Sequence, residues 1–164
     1  MLVTIDKTSN ETPVDLFEAK RHLRVEHSFD DEYIQQLLHS ATAYAAAITN
    51  RALCPSEATV ILPTANGVVW LPYGNCKLLS VQSNGLDTNA YTVSGDKMLF
   101  HTVHHNVVIK FKCGYSEDDC PADIKHALLM LVGTMYEQRA DITIGVQTFK
   151  SHFASHQLLE RHRI

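Results

Sequence analysis

A chain of 164 residues with 45% hydrophobic side chains is long enough to bury a core and is not of the disordered class. Its 14 basic residues against 18 acidic ones give a net charge of -4, which argues against a protein whose main task is gripping nucleic acid, because that needs a basic surface. A mildly acidic wall past which DNA slides is compatible with that balance. No apolar run approaches the length of a membrane span, and residues 1–7 lack the basic and apolar regions of a signal peptide, so the expected compartment is the cytoplasm.

Residues 1–10 read as a short extended arm in which Thr4 and Ile5 can pair at a sheet edge. A first helix starts at Asp15, whose carboxylate can accept first-turn N–H groups, with Glu18 completing a capping-box pattern. Leu16, Ala19 and Leu23 fall on one face, and Lys20, Arg21 and Arg24 on the other. A second helix starts at Asp30 or Asp31. Ile34, Leu37, Leu38, Ala41, Ala45 and Ile48 give it the strongest helical periodicity in the chain. Asn50 stands where a left-handed terminating residue is wanted, and Pro55 prevents continuation.

From 57 to 115 the character changes. Turn residues recur at Asn66-Gly67, Tyr73-Gly74-Asn75, Asn84-Gly85 and Ser94-Gly95-Asp96, separating short β-type runs. The clearest strand is 107–113, where Val107, Ile109, Phe111 and Cys113 alternate with Val108, Lys110 and Lys112. A third helix follows Cys120-Pro121. Ile124, Ala127, Leu128, Leu131 and Met135 form one stripe, widened by Leu129, Val132 and Tyr136, as for a helix buried on several sides. The tail from Phe149 to Ile164 scatters Phe149, Phe153, Leu158 and Leu159 among basic residues. It is expected to order only on a partner.

The sequence holds no usable catalytic constellation. His101, His104 and His105 cluster, and His152 and His156 are four apart, but zinc needs three or four convergent ligands, and neither HExxH nor a cysteine at ligand spacing is present. There is no GxSxG elbow and no glycine-rich phosphate loop. Asp30, Asp31 and Glu32 are explained by helix capping. Cys54, Cys76, Cys113 and Cys120 form no CxxC pair and read as free, mostly buried thiols. No cofactor, no metal and no enzymatic activity are expected.

Three blocks, in order, carry a resemblance: Thr12 to Val25, Asp30 through Ile48 to Leu53, and Gly114-Tyr115 followed by Pro121 to Val132 and Tyr136-Glu137-Gln138-Arg139. Their order and spacing resemble the head–tail connector (adaptor) proteins of long-tailed bacteriophages. The resemblance implies an α+β chain: a small helical bundle of three main helices plus a C-terminal tail or short helix, with a β-rich insertion of short antiparallel strands. As one connector domain over 1–164, the helical core would span 12–54 and 121–142, the insertion 57–115 and a docking tail 145–164. The bundle core would comprise Leu16, Leu23, Ile34, Leu37, Leu38, Ala41, Ile124, Leu128, Leu131 and Met135. The resemblance further implies a dodecameric ring beneath the portal protein ring, at the head–tail interface of the virion after assembly in the host cytoplasm. That ring extends the channel, lets DNA pass without specific binding, and offers a surface to the neck or tail-completion protein. Phe153, Leu158, Leu159, Arg161 and Arg163 are the expected portal-docking residues. A neck or tail-completion protein of the same assembly is the alternative, and a small histidine-dependent metalloenzyme a more distant one. The β-rich middle is long for the family, and Leu158-Leu159-Glu160-Arg161 matches the family's closing Leu-Leu and Arg pattern only loosely.

Overall fold

In a computed structural model, which describes residues 1–8, 10–116, 118–138 and 154–164, the chain is α+β, with four helices and one antiparallel sheet. The element order is β1 (Leu2–Thr8), α1 (Leu16–Leu23), α2 (Asp31–Thr49), β2 (Ser56–Trp70), β3 (Lys77–Ser83), β4 (Leu86–Asp87), β5 (Tyr91–Ser94), β6 (Lys97–Cys113), α3 (Ala122–Glu137) and α4 (Ala154–Glu160). Residues 1–11 and 54–116 make one unit and residues 12–53 and 117–164 a second, so the β unit interrupts the helical unit in sequence.

The β unit is a six-stranded sheet ordered β1-β2-β6-β3-β4, with β5 paired to β6. Its spine is the pairing of β2 with β6, from Ser56↔Cys113 to Trp70↔Lys97. The sequence reads as two short strands, 58–62 and 68–71, where β2 runs, and two, 98–101 and 107–113, where β6 runs. The structure makes each pair one long strand. In β2 the cause lies at Asn66-Gly67: the register shifts between Ala65 and Gly67, and Gly67 takes φ +68. Glycine there supplies a bulge within a continuing strand rather than a turn. By contrast, Asn84-Gly85 does turn the chain, with φ 50 and 80, and joins β3 to β4 as a two-residue hairpin. The alternation read from 107–113 holds. Val107, Ile109 and Phe111 are wholly buried beside Val60 and Ala58, while Lys110 and Lys112 face solvent.

In the helical unit, Asp15 caps α1 by accepting from the Glu18 N–H at 2.6 Å, and Arg24 ends it with φ 58. Asn50 ends α2 in the left-handed region, as expected. Asp30 precedes α2, but its side chain makes no capping bond. It accepts instead from the Tyr136 hydroxyl at 2.6 Å, tying the start of α2 to the end of α3. Asp31 pairs with Lys20 of α1 at 2.5 Å. These two acids therefore link helices, whereas the sequence reading gave them to capping alone.

The core of this unit contains Val14, Ala19, Ile34, Leu38, Ala41, Ala45, Ile124, Ala127, Leu128, Val132 and Leu159. Leu16, Leu23, Leu37, Leu131 and Met135 are half-buried around it. Residues 154–164, expected to order only on a partner, form α4 and a closing turn that pack on α2 and α3. Leu159 is fully buried and Ser155 nearly so. The chain end covers the C-terminus of α2: the Arg51 Nε donates to the His162 carbonyl at 2.5 Å, and the Ile164 N–H to the Thr49 carbonyl at 3.1 Å. The Thr49 carbonyl, at the end of α2 and without a helical partner, thus acquires a donor.

Candidate assembly surfaces

Four surfaces bear chemistry. The first is a groove of about 730 Å³ beside α1, lined by Leu16, Phe17, Lys20, Arg21, Arg24, Val25 and Glu26. Phe17 is 69% exposed, and the Arg21 guanidinium stands 5.9 Å from its ring centre. The sequence places Lys20, Arg21 and Arg24 on the polar face of α1 and does not single out a groove there. The available signal was Phe17, a large apolar residue on the polar side of the helix, four before Arg21.

The second surface is the C-terminal turn. Arg161 and Arg163 are exposed and Leu158 is partly exposed, whereas Leu159 points into the helical core. Phe153, Phe149, Lys150 and His152 lie outside the described residues. Of the expected docking residues, Leu158 lies partly exposed on α4, Arg161 and Arg163 are exposed at the chain end that follows it, and Leu159 serves the packing of α4.

The third is the outward face of β2, β6 and β3. Lys112 is directly opposite both Glu57 and Lys77, and Lys110 is opposite Ser80. Lys112 Nζ lies 3.8 Å from Glu57 in an exposed pair that screening leaves weak. Two lysines facing each other across a ladder repel, and the Glu57 carboxylate partly offsets this.

The fourth comprises the histidines and thiols. His101 Nε2 meets the Thr92 hydroxyl at 2.7 Å, His104 Nε2 the Thr102 hydroxyl at 3.1 Å, and His105 Nδ1 the Thr64 hydroxyl at 3.4 Å. Each ring is thus held by its own hydroxyl, and His104 also lies against Phe100. Among the described residues no three His, Cys, Asp or Glu side chains come together as metal ligands. The four cysteines are free thiols. Burial pushes the Cys113 thiol up to about 11. Burial also raises Cys76, reinforced by the nearby Asp96 carboxylate, and raises Cys54, with Glu11 adding to it. Raised thiols are poor nucleophiles at neutral pH.

An α+β scaffold whose distinctive features are an aromatic–basic groove, a cationic turn and a lysine face has the character of a protein that works by contact with other macromolecules. Residues 13–78, which hold α1, α2, β2 and the start of β3, match the family of phage gp6-like head–tail connector proteins. The resemblance read from the helical blocks is borne out over that stretch. No curated protein matches the chain in sequence. Among solved structures, the fold is similar to a chain in the neck of an empty gene transfer agent particle computed with C6 symmetry. There the identity is 20%, the TM-score 0.78, and coverage 99% of this chain and 95% of that one. A chain in the neck of the native particle computed with C12 symmetry gives 19% identity, a TM-score of 0.77 and the same coverage. A chain in the virion of the native gene transfer agent particle gives 19% and 0.75, again with 99% and 95% covered.

Proposed function

We propose that this protein is a structural component of the head–tail junction of a phage-like particle, a connector that assembles as a ring beneath the portal protein and presents the attachment surface for the neck or tail. The observation carrying this reading is the joint match. Residues 13–78 fit the head–tail connector family, and nearly the whole chain superposes on a neck component. In this reading the helical core and the β-rich insertion act as one connector module of the virion.

The physics of the surfaces supports the reading. A ring subunit needs two different complementary patches, because head-to-tail contacts close only when the same contact repeats around an axis. A dodecamer repeats each contact often enough for modest patches to make a firm joint. The net charge of -4 suits a channel wall that DNA passes without being held. The work is binding, so no catalytic group or cofactor is called for.

Docking on the portal falls to the C-terminal turn. Arg161 and Arg163 are free to pair carboxylates on an acidic rim, with Leu158 beside them and Phe153 upstream. Burial of Leu159 fixes α4, so the turn is presented by a packed element rather than by a loose tail. A neck or tail-completion role in the same assembly is the second reading, favoured by the neck location of the structural neighbours.

The test is electron microscopy of the purified protein mixed with purified portal rings. The connector reading expects a further ring of density stacked on one face of the portal. Bare portal rings at saturating protein would contradict it and favour the tail-side role.

A further inference from the structure

Two of the four free thiols face each other across a strand pair. The β3–β6 ladder sets Lys77 against Lys112, and one step further along it the antiparallel register sets Cys76 against Cys113. The two strands stay together past that step: the Asn75 Nδ2 donates to the Gly114 carbonyl at 2.7 Å, one residue beyond each cysteine. The Cys76 N–H donates to the Asp96 carboxylate at 2.8 Å, which fixes the backbone where β3 begins. Burial and the Asp96 carboxylate raise the Cys76 thiol, and the charge of Cys113 adds to them, so the two sulfurs lie near each other.

Opposed residues of antiparallel strands share a face of the sheet and hold their Cα atoms about 4.5–5.5 Å apart, inside the roughly 4.4–6.8 Å that a disulfide spans. The alternation along β6 puts Cys113 on the buried face with Phe111, Ile109 and Val107. Cys76 is only partly buried, which makes it the thiol a small oxidant meets first. Cys54 and Cys120 lie outside the strands.

We propose that Cys76 and Cys113 are a latent disulfide pair, reduced while the chain is in a reducing compartment and closed by hydrogen peroxide in oxidising surroundings. The Cys76 sulfur attacks one peroxide oxygen as the thiolate. The O–O bond breaks, and the departing hydroxide takes up the proton that the thiol released. The Cys113 sulfur then attacks the sulfur of the Cys76 sulfenic acid, the S–O bond breaks, and the leaving hydroxide takes up the Cys113 proton. One peroxide is reduced to two waters, and two thiols are oxidised to one disulfide. Burial, with Asp96 at Cys76, favours the neutral thiols, so closure is slow at neutral pH. The bond staples β3 to β6 and closes the loop 76–113, which restricts the unfolded chain. A particle that leaves its host passes from reducing to oxidising surroundings, so the staple sets after assembly. That timing rests on the proposed virion role, whereas the pair itself does not.

The test treats the folded chain with hydrogen peroxide at pH 8 and reads its intact mass and its disulfide-linked peptides. The expected product is a monomeric chain lighter by two hydrogens, with the Cys76 and Cys113 peptides joined, and dithiothreitol restores the starting mass. A variant with Cys54→Ser and Cys120→Ala should give the same product, and Cys76→Ser should give none. Where the double variant fails to fold, the peptide map of the natural chain decides alone. The oxidised chain should unfold at a urea midpoint about 1–2 M above that of the reduced one.

A Cys76 sulfinic acid without a cross-link would overturn the proposal. So would a bond that uses Cys54 or Cys120, or an unchanged mass. An oxidised chain no more stable than the reduced one would overturn it too, because the strand register would then not accommodate the bond. None of these readouts involves the portal. If the disulfide closes as expected in a chain that ignores portal rings, the pair stands and the connector reading falls alone.

Discussion

Leu158 and Leu159 are neighbours in sequence with opposite settings, and replacing each by alanine separates the packing of α4 from its surface. Leu159 is fully buried, Leu158 partly exposed. Leu159→Ala removes three carbons, worth about 2.4 kcal/mol of transfer at roughly 0.8 kcal/mol each. A residual cavity raises the usual range to about 2–5 kcal/mol. A ceiling applies, however. α4 has seven residues, too few to hold as an isolated helix, so its helicity depends on Leu159, Ser155 and the chain-end bonds to Thr49 and Arg51. Once the lost contact exceeds the docking energy, α4 detaches and the measured cost saturates. The expected loss is therefore about 2–3 kcal/mol for Leu159→Ala and below about 1 kcal/mol for Leu158→Ala. Urea titration followed by far-ultraviolet circular dichroism gives both numbers. Amide hydrogen exchange should show residues 155–160 losing protection only in the Leu159 variant. Equal costs for the two, or a Leu159 cost under about 0.5 kcal/mol, would refute the docking of α4 on the helical core.

Charge reversal at Arg161 and Arg163 should leave urea stability unchanged within about 0.5 kcal/mol, since both are exposed, yet abolish co-sedimentation with portal rings. Tyr136→Phe should cost about 1–2 kcal/mol in the same titration, because it removes the hydroxyl that donates to Asp30. Cys113 and Cys76 should react slowly with a thiol reagent at pH 8, as both thiols are raised. The neutral thiol is the form the fold favours, so the Cys113 contribution is fully present below its ordinary value near 9 and is lost as pH rises toward about 11. Stability measured across that window should fall, and should fall less in Cys113→Ala.

The helices were legible because their signals are local. The cap at Asp15, the left-handed Asn50 and the stripe of Ile34, Leu38 and Ala41 each act within a turn or two of chain. The long strands were not. Asn66-Gly67 and Asn84-Gly85 are the same dipeptide, and only pairing partners decide that the first bulges while the second turns. The same limit hid the roles of Asp30 and Asp31, whose partners Tyr136 and Lys20 lie on other helices. The tail was read as unable to bury itself because its apolar residues are sparse. One of them, Leu159, is enough when the chain end also forms hydrogen bonds with Thr49 and Arg51. The α1 groove was not legible because it depends on how Val25 and Glu26 fold back beside α1, which the helical pattern of Leu16, Ala19 and Leu23 does not encode.

The central claim is that this protein joins filled heads to tails, and the most direct measurement removes it from the particle. Particles assembled with the gene inactivated, then imaged by electron microscopy, should be filled heads without tails, accompanied by free tails. Supplying the purified protein should restore complete particles, whereas protein carrying the Arg161 and Arg163 reversals should not. Complete tailed particles in its absence would contradict the account.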